Sequence, residues 1–236
     1  MAKDSESTLP RATGAGRPEE TNCNIGTYGD HGGGKTSWIE EVLCAKKQRL
    51  VIIDTLCKDY GNPEFCAATG VRYDATAHSL VEFLRLLAQL NGKDGKGQFR
   101  LVARCPGMEM AIMKLFVFDQ AKKRATLTDT TVVIEEISNF MDQSTIAPEI
   151  EDHLKFGRHS RNNLIGVAQI PRKQTNTLYR GAMDMFVSFR QTEDVALSFF
   201  SEFSKEKAEE LRHLETGDYR LFRGTSEKLI EFINQP

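Results

Sequence analysis

The 236-residue sequence lacks several features that would assign it to a specialised class. It contains no apolar run approaching the length of a membrane span and no apolar signal segment near its amino terminus. Its five cysteines show no C-x-x-C spacing, which argues against a zinc site or a disulfide framework. A net charge of -2 provides no global basic field, so contact with nucleic acid requires a local patch. We therefore expect a soluble intracellular protein.

Composition divides the chain into a short arm and one domain. Residues 1–20 mix Ser, Thr, Pro, Gly and charges of both signs, which predicts a flexible amino-terminal arm. Residues 21–236 have the length and apolar content of a single globular domain.

The strongest motif is the glycine-rich segment 29–36, which reads G-x-x-x-x-G-K-T and is typical of a phosphate-binding (Walker A) loop. Its consecutive glycines allow backbone N–H groups to point at phosphate oxygens. We expect Lys35 to reach the β- and γ-phosphates and the Thr36 hydroxyl to hold Mg²⁺. An apolar segment precedes the loop and helical spacing follows it, so a helix amino terminus faces the phosphates. The predicted nucleotide-binding residues are Gly29, Asp30, His31, Gly32, Gly33, Gly34, Lys35, Thr36 and Ser37.

Apolar runs and helical periodicities alternate along the rest of the chain. The predicted strands are residues 49–54, 99–103, 130–136, 163–169 and 185–189. The predicted helices are residues 77–90, 108–124, 137–141 and 148–157, with further helical signals over 192–214. Residues 219–223 and 229–233 predict a terminal antiparallel hairpin. The alternation predicts an α/β fold with a mostly parallel central sheet covered on both faces.

Two adjacent carboxylates end the predicted strand 130–136. A P-loop hydrolase needs one acid that holds Mg²⁺ through water and one that polarises the attacking water. Glu135 is assigned to the metal and Glu136 to the water, although Asp is the usual acid at the metal position. Asp54 ends another predicted strand and is the competing metal ligand. Because no Glu follows it, we favour a structural role for Asp54.

Gln169 ends the predicted strand 163–169, where it could sense the γ-phosphate or orient water. A basic segment that includes Arg158 and Arg161 precedes this strand. Two roles remain open for these cations: an arginine finger that enters a neighbouring site, or contacts with a phosphodiester backbone. For any single residue, a solvated basic surface is the plainer interpretation.

These segments together resemble the HerA/FtsK superfamily of P-loop ATPases, and in particular the genome-packaging ATPases of tailless, membrane-containing viruses. The resemblance rests on the loop 29–36, the pair Glu135 and Glu136, and the arginine-containing segment 157–169. The filamentous-phage assembly ATPases and the conjugative motors share the pattern. The compact length, without a transmembrane segment or a separate DNA-reading domain, favours the packaging branch.

The resemblance implies a three-layer P-loop NTPase core of the RecA/ASCE type, with ATP and Mg²⁺ as cofactors. It implies a homo-oligomeric ring, more commonly hexameric than pentameric, with active sites between subunits. It further implies double-stranded DNA in the pore and capsid or vertex proteins as partners. The predicted catalytic residues are Lys35, Glu136 and Gln169, with Arg158 or Arg161 acting across the implied subunit interface.

Two other interpretations stay open at the level of sequence. A P-loop kinase would transfer phosphate to a small acceptor, although the acidic pair favours water as the nucleophile. A nucleotide-binding scaffold would bind ATP without acting as a motor.

Overall fold

The computed structural model describes residues 22–44, 46–56, 60, 66–67 and 72–234. The predicted arm over residues 1–20 lies outside the described residues, as does much of the chain between 57 and 71.

Eight strands of the described chain form one sheet. They are β1 (Asn24–Tyr28), β2 (Arg49–Ile53), β3 (Ala75–Ala77), β4 (Phe99–Ala103), β5 (Thr131–Ile134), β6 (Asn163–Ala168), β7 (Met185–Ser188) and β8 (Arg220–Phe222). Their spatial order is β3-β4-β2-β5-β6-β1-β7-β8. The six pairs from β3 to β7 in this order are parallel, and β8 runs antiparallel to β7. This topology confirms the predicted mostly parallel α/β sheet.

Short helices connect the strands. They are α1 (Lys35–Trp38), which continues as the π-helical segment Ile39–Cys44, α2 (Leu80–Asn91), α3 (Glu109–Met113), α4 (Pro148–Phe156), α5 (Pro171–Gln174), α6 (Thr177–Ala182), α7 (Asp194–Ser201), α8 (Lys205–Glu210) and α9 (Ser226–Asn234). Four 3₁₀ turns accompany them in the described chain: Lys114–Phe116, Ile137–Phe140, Gly157–His159 and Leu211–His213. No helix in the described part of the chain has the length and apolarity needed to cross a bilayer.

The sheet separates two apolar cores, one on each face. Alternate residues of β2 point to opposite faces, so Val51 and Ile53 join one core while Leu50 and Ile52 join the other. Trp38 at the end of α1 packs in the second core. The result is three layers, with a continuously apolar parallel sheet between two sets of helices.

The prediction of a second strand in the terminal hairpin is wrong, because residues 226–234 form helix α9. The first predicted strand exists as β8, but its antiparallel partner is β7, with Phe222 opposite Phe186. Leu229 and Phe232 are buried one helical turn apart, whereas Ile230 is exposed. A spacing of three residues places the two buried side chains on one helix face, which a strand could not do.

The predicted helix over 108–124 ends earlier than expected. Helix α3 and the following 3₁₀ turn reach only Phe116, and Val117 is already extended. Beyond it, Asp119 and Arg124 pair as an isolated antiparallel bridge. The short edge strand β3 was not predicted from the sequence. Its three residues, Ala-Thr-Ala, present no apolar run.

Candidate functional site

The chemically important segments converge at the carboxyl edge of the sheet. The register pairs Tyr28 of β1 with Ala168 of β6 and Ile53 of β2 with Ile134 of β5. Each polar group follows one of these residues, because parallel strands end at the same edge. The edge therefore carries the phosphate loop (residues 29–36), Asp54, the acidic pair and Gln169.

The phosphate loop is held from inside by its own lysine. Lys35 Nζ donates to the carbonyl oxygens of Gly29 at 2.7 Å and Asp30 at 3.0 Å. The backbone N–H of Gly33 donates to the same Asp30 carbonyl at 3.1 Å. His31, Gly32 and Ser37 are exposed, while the backbone of Gly33 is buried. The ammonium group thus lies within the curled loop, where the motif places phosphate oxygens.

Two distant segments hold the same loop from outside. The Asp30 N–H donates to the carbonyl of Arg190, just after β7, at 2.9 Å. The Thr192 hydroxyl donates to the Asp30 carboxylate at 2.9 Å, and the Gly217 N–H donates to the Gly33 carbonyl at 3.1 Å. Arg190, Thr192 and Gly217 were not predicted from the sequence as parts of the site. No local motif marks them, since the contacts join residues more than 150 positions apart in the chain.

Gly34 is a closely packed position of the phosphate loop. Its φ of +99° lies in the left-handed region, where a side chain is strained. A Cβ at this position would also lie 2.7 Å from the backbone nitrogen of Gly217. Gly32 is a natural comparison, because its φ is +73° but a Cβ there would have no atom within 4 Å. A side chain at residue 34 would therefore strain the phosphate loop and displace the segment at Gly217.

Replacing Gly34 with Ala is expected to abolish nucleotide binding and to lower the free energy of unfolding by about 2 kcal/mol or more, through backbone strain and the clash with Gly217. Gly32→Ala is the matched control, since it adds a strained residue without a clash, and its loss should be clearly smaller. Calorimetric ATP binding and thermal unfolding measure both effects. Equal losses in the two variants would contradict the assigned role of the Gly217 contact.

Glu135 is the centre of the candidate metal site. The Thr36 hydroxyl donates to Glu135 Oε1 at 3.3 Å, and the Tyr60 hydroxyl donates to the same oxygen. The Thr55 hydroxyl donates to the Glu135 carbonyl at 2.9 Å. A hydroxyl beside a buried carboxylate provides the oxygen ligands that Mg²⁺ prefers, so these residues fit the ion. Thr36 and Glu135 would hold it, directly or through water.

Burial raises the pKa of Glu135 to about 7, and hydrogen bonds from Tyr60 and Thr36, together with the Lys35 charge, act in the opposite direction. Burial also lowers the pKa of Lys35, while the carboxylates of Glu135, Glu136 and Asp30 oppose that shift. The ammonium group and the acidic pair are thus close enough to interact through their charges.

The raised pKa of Glu135 destabilises the folded state at neutral and higher pH. The folded chain holds the carboxyl proton of Glu135 more tightly than the unfolded chain does, so the carboxyl group does not lower the free energy of unfolding at low pH. The free energy of unfolding falls as pH rises from about 4.5 to 7, because the buried carboxyl group must then ionise. Glu135→Gln should therefore stabilise the nucleotide-free protein by up to about 3 kcal/mol at pH 8, and most of this gain should disappear by pH 5. Thermal unfolding at the two pH values tests this, with exposed Glu206→Gln as control. A gain independent of pH would contradict the prediction.

Asp54 forms a buried ion pair, which is compatible with the structural role favoured from the sequence. Its carboxylate is buried and accepts from Arg104 Nε at 2.9 Å. The same guanidinium donates to the Tyr60 carbonyl, and the Tyr60 hydroxyl reaches Glu135. Asp54 therefore neutralises Arg104, which in turn holds Tyr60 beside the candidate metal site.

Glu136 differs from its neighbour in both exposure and backbone conformation. It is only half-buried, and its φ of +46° and ψ of +55° are left-handed. Ser138 donates a hydrogen bond to its carboxylate at 3.4 Å. Non-glycine residues rarely adopt this conformation, and such strain is concentrated at functional positions. The turn separates the two acids, so that one is buried beside Thr36 while the other is accessible to water.

Gln169 follows β6, between the strands that carry the phosphate loop and the acidic pair. Its backbone is fixed on both sides. The N–H donates to Gln174 Oε1 at 2.8 Å, and its carbonyl accepts from buried Gln191 Nε2 at 3.0 Å. The structure thus places Gln169 at the edge where the sequence predicted it.

Arg158 and Arg161 lie at the opposite, amino edge of the sheet. Arg158 is exposed in the turn Gly157–His159, and Arg161 precedes β6. The six residues of β6 span about 20 Å between this edge and Gln169. Arg161 forms an ion pair with Asp129, with its Nη2 2.6 Å from Oδ2. Neither arginine joins the phosphate site of its own subunit, so a role as arginine finger requires contact between opposite edges of neighbouring subunits.

Comparison with known proteins identifies the fold. No protein-family model and no curated protein matches this sequence. The structure is similar to those of the genome packaging NTPase B204 from Sulfolobus turreted icosahedral virus 2. For its complex with ATP-gammaS the TM-score is 0.62 at 17% identity, covering 87% of this chain and 93% of that chain. For the complex with AMP the TM-score is 0.59 at 17% identity, covering 86% and 93%. The chain therefore has a P-loop NTPase fold.

Proposed function

We propose that this protein is a Mg²⁺-dependent ATPase that drives double-stranded DNA into a viral capsid. The observation that carries the proposal is the arrangement at the carboxyl edge: a lysine inside a glycine loop, a hydroxyl 3.3 Å from a buried carboxylate, and a second, half-buried carboxylate. The shared fold with a viral genome-packaging NTPase supports the packaging role.

Each residue of the site would have a separate role in ATP hydrolysis. The loop N–H groups and Lys35 would bind the β- and γ-phosphates, and Lys35 would exchange its carbonyl partners for phosphate oxygens. Mg²⁺, held by Thr36 and Glu135, would supply neutralisation of phosphate charge. Because Glu135 lies beside Thr36 in the buried interior, its role is to position rather than to exchange protons with substrate water.

Glu136 is the proposed general base. Its carboxylate is accessible to water, and a proton taken from the attacking water would be held on it. Gln169, fixed by Gln174 and Gln191, would orient that water or sense the γ-phosphate. Glu136 and Gln169 follow the neighbouring strands β5 and β6, which supports a shared role at the attacking water.

Coupling of ATP hydrolysis to DNA movement would require the assembled oligomer. The proposal includes a homo-oligomeric ring with sites between subunits, DNA in its pore, and capsid or vertex proteins as partners. Opposite sheet edges carry the phosphate loop and the arginines, which is compatible with head-to-tail contacts in a closed ring. Such contacts would bring one subunit's Arg158 or Arg161 towards the next subunit's nucleotide.

Steady-state ATP hydrolysis, with and without long double-stranded DNA, tests the proposal. A DNA motor should hydrolyse ATP alone and turn over several times faster with DNA. Turnover that requires a small acceptor would instead identify a kinase. Tight ATP binding with no turnover under any condition would identify a nucleotide-binding scaffold.

A further inference from the structure

We infer that a basic hairpin at the amino edge of the sheet, residues 119–124, together with the cavity beside it, forms a contact surface for the phosphodiester backbone of double-stranded DNA. The inference deepens the proposed function and rests on it, because it names where the polymer substrate is held. It concerns the edge opposite the phosphate loop.

The hairpin is a defined structure. Asp119 and Arg124 exchange backbone hydrogen bonds of 3.0 and 3.4 Å. Inside the turn, the Asp119 carboxylate accepts from the backbone N–H groups of Ala121 at 2.9 Å and Lys122 at 3.1 Å. Lys123 adopts a left-handed φ of +53°. These bonds order the backbone, so the cationic side chains of Lys122, Lys123 and Arg124 project from an organised, exposed turn.

The hairpin borders a cavity of about 860 Å³. Lys114, Lys122 and Arg124 line it on one side, and Asp152 and Phe156 of α4 line it on the other. At its margin the Phe118 ring packs against His159 with 5.1 Å between the ring centroids. His159 directly follows the exposed Arg158, which places Arg158 near the cavity margin. Assigning Arg158 to this surface leaves Arg161 as the arginine that would reach the neighbouring subunit's nucleotide.

The charges on this surface are predominantly positive and only partly paired. Lys114 lies 3.2 Å from Glu149, whose side chain is mostly buried, and Lys122 lies 3.0 Å from the exposed side chain of Asp119. Exposed ion pairs contribute little stability, so a phosphate group can replace Asp119 beside Lys122 at small cost.

Three further cations, Lys123, Arg124 and Arg158, form no ion pair with any residue in the described part of the chain. Three cations (Lys114, Lys122 and Arg124) and two carboxylates (Asp119 and Asp152) are among the described residues that line the cavity, and Lys123 and Arg158 add two exposed cations outside the lining.

The distribution of the cations fits a polymer rather than a single phosphate. They follow a hairpin and a separate turn instead of converging on one point, which matches a ligand with regularly repeated charges. Duplex DNA presents one negative charge per about 1.7 Å of its axis. The length of β6 separates the surface from the phosphate loop, so changes on the hairpin should leave basal hydrolysis intact.

The test compares three variants of the full chain. The neutral variant carries Lys122→Gln, Lys123→Asn and Arg124→Gln, with Asn chosen because it tolerates the left-handed backbone. The charge-retaining variant carries Lys122→Arg and Arg124→Lys. The matched control removes three exposed cations elsewhere, through Arg85→Gln, Lys205→Gln and Lys228→Gln. For each we would measure basal ATP turnover, DNA-stimulated turnover, and the salt dependence of binding to a random-sequence duplex.

The neutral variant should bind duplex roughly tenfold or more weakly, and its log–log salt slope should fall by about 2 to 3. Its basal turnover should be unchanged and its DNA stimulation lost, while the other two variants resemble wild type. Equal DNA binding by the neutral and control variants would overturn the inference. So would a neutral variant that loses oligomerisation instead, because the surface would then be a subunit contact. Wild-type protein that binds no DNA would refute the proposed function itself.

Discussion

Lys35→Ala should reduce kcat/KM for ATP by at least about a hundredfold, because the ammonium is the loop's charged contact to phosphate oxygens. Its Nζ is already positioned inside the curled backbone by the carbonyls of Gly29 and Asp30. Removal should not unfold the protein, since burial disfavours the charged form of this lysine. Hydrolysis assays and thermal unfolding measure the two effects separately.

Exposed Lys46, which donates a hydrogen bond to Asn234 at 3.1 Å, provides the control for Lys35. Lys46→Ala removes the same charge and side chain outside the phosphate loop, and its hydrolysis rate should match that of wild type. Hydrolysis that survives in Lys35→Ala would refute the proposed site as a whole.

Glu136→Gln should lower kcat by about 10²- to 10⁴-fold while leaving ATP affinity almost unchanged, because Gln has the same shape but cannot take the proton from water. The left-handed turn should be preserved, since the two side chains place similar demands on the backbone. Single-turnover hydrolysis and equilibrium binding of ATP distinguish a lost base from a lost contact.

The neighbouring acid offers the comparison for Glu136. Glu135→Gln removes a carboxylate that accepts from Thr36 and Tyr60, so it should raise the Mg²⁺ concentration needed for half-maximal turnover. Glu136→Gln should leave this requirement unchanged. If Glu136→Gln abolished ATP binding instead of turnover, the division of roles between the two acids would be wrong.

Local sequence signals predicted the parts of the site that depend on local geometry. The glycine spacing of the phosphate loop, and the apolar runs that end at Asp54, Glu135 and Gln169, each encode a strand followed by a polar group. Because parallel strands end at one edge, these predictions were enough to place the groups together. The structure adds that Asp54 is neutralised by Arg104, as its structural interpretation requires.

Long-range contacts were beyond the reach of the sequence. Thr192 and Gly217 support the phosphate loop from segments with no motif of their own, and their effect depends on the whole sheet being in place. The carboxyl-terminal segment shows a different limit. Its dense apolar residues fit a strand or a helix by composition, and only the burial of Leu229 and Phe232 on one face decides for the helix.

The arrangement of the sheet also governs when the active site can exist. β1, which carries the phosphate loop, lies between β6 and β7, so Asn24 pairs with Leu164 and Ile25 with Met185. These partners are 140 and 160 positions apart in the chain (164 minus 24 and 185 minus 25). Pairing over such distances incurs a loop-closure cost before any contact compensates it, which slows folding. During synthesis, β1 leaves the ribosome well before β6 and β7, its two partners in the sheet. The phosphate loop can therefore take its final position only late in synthesis.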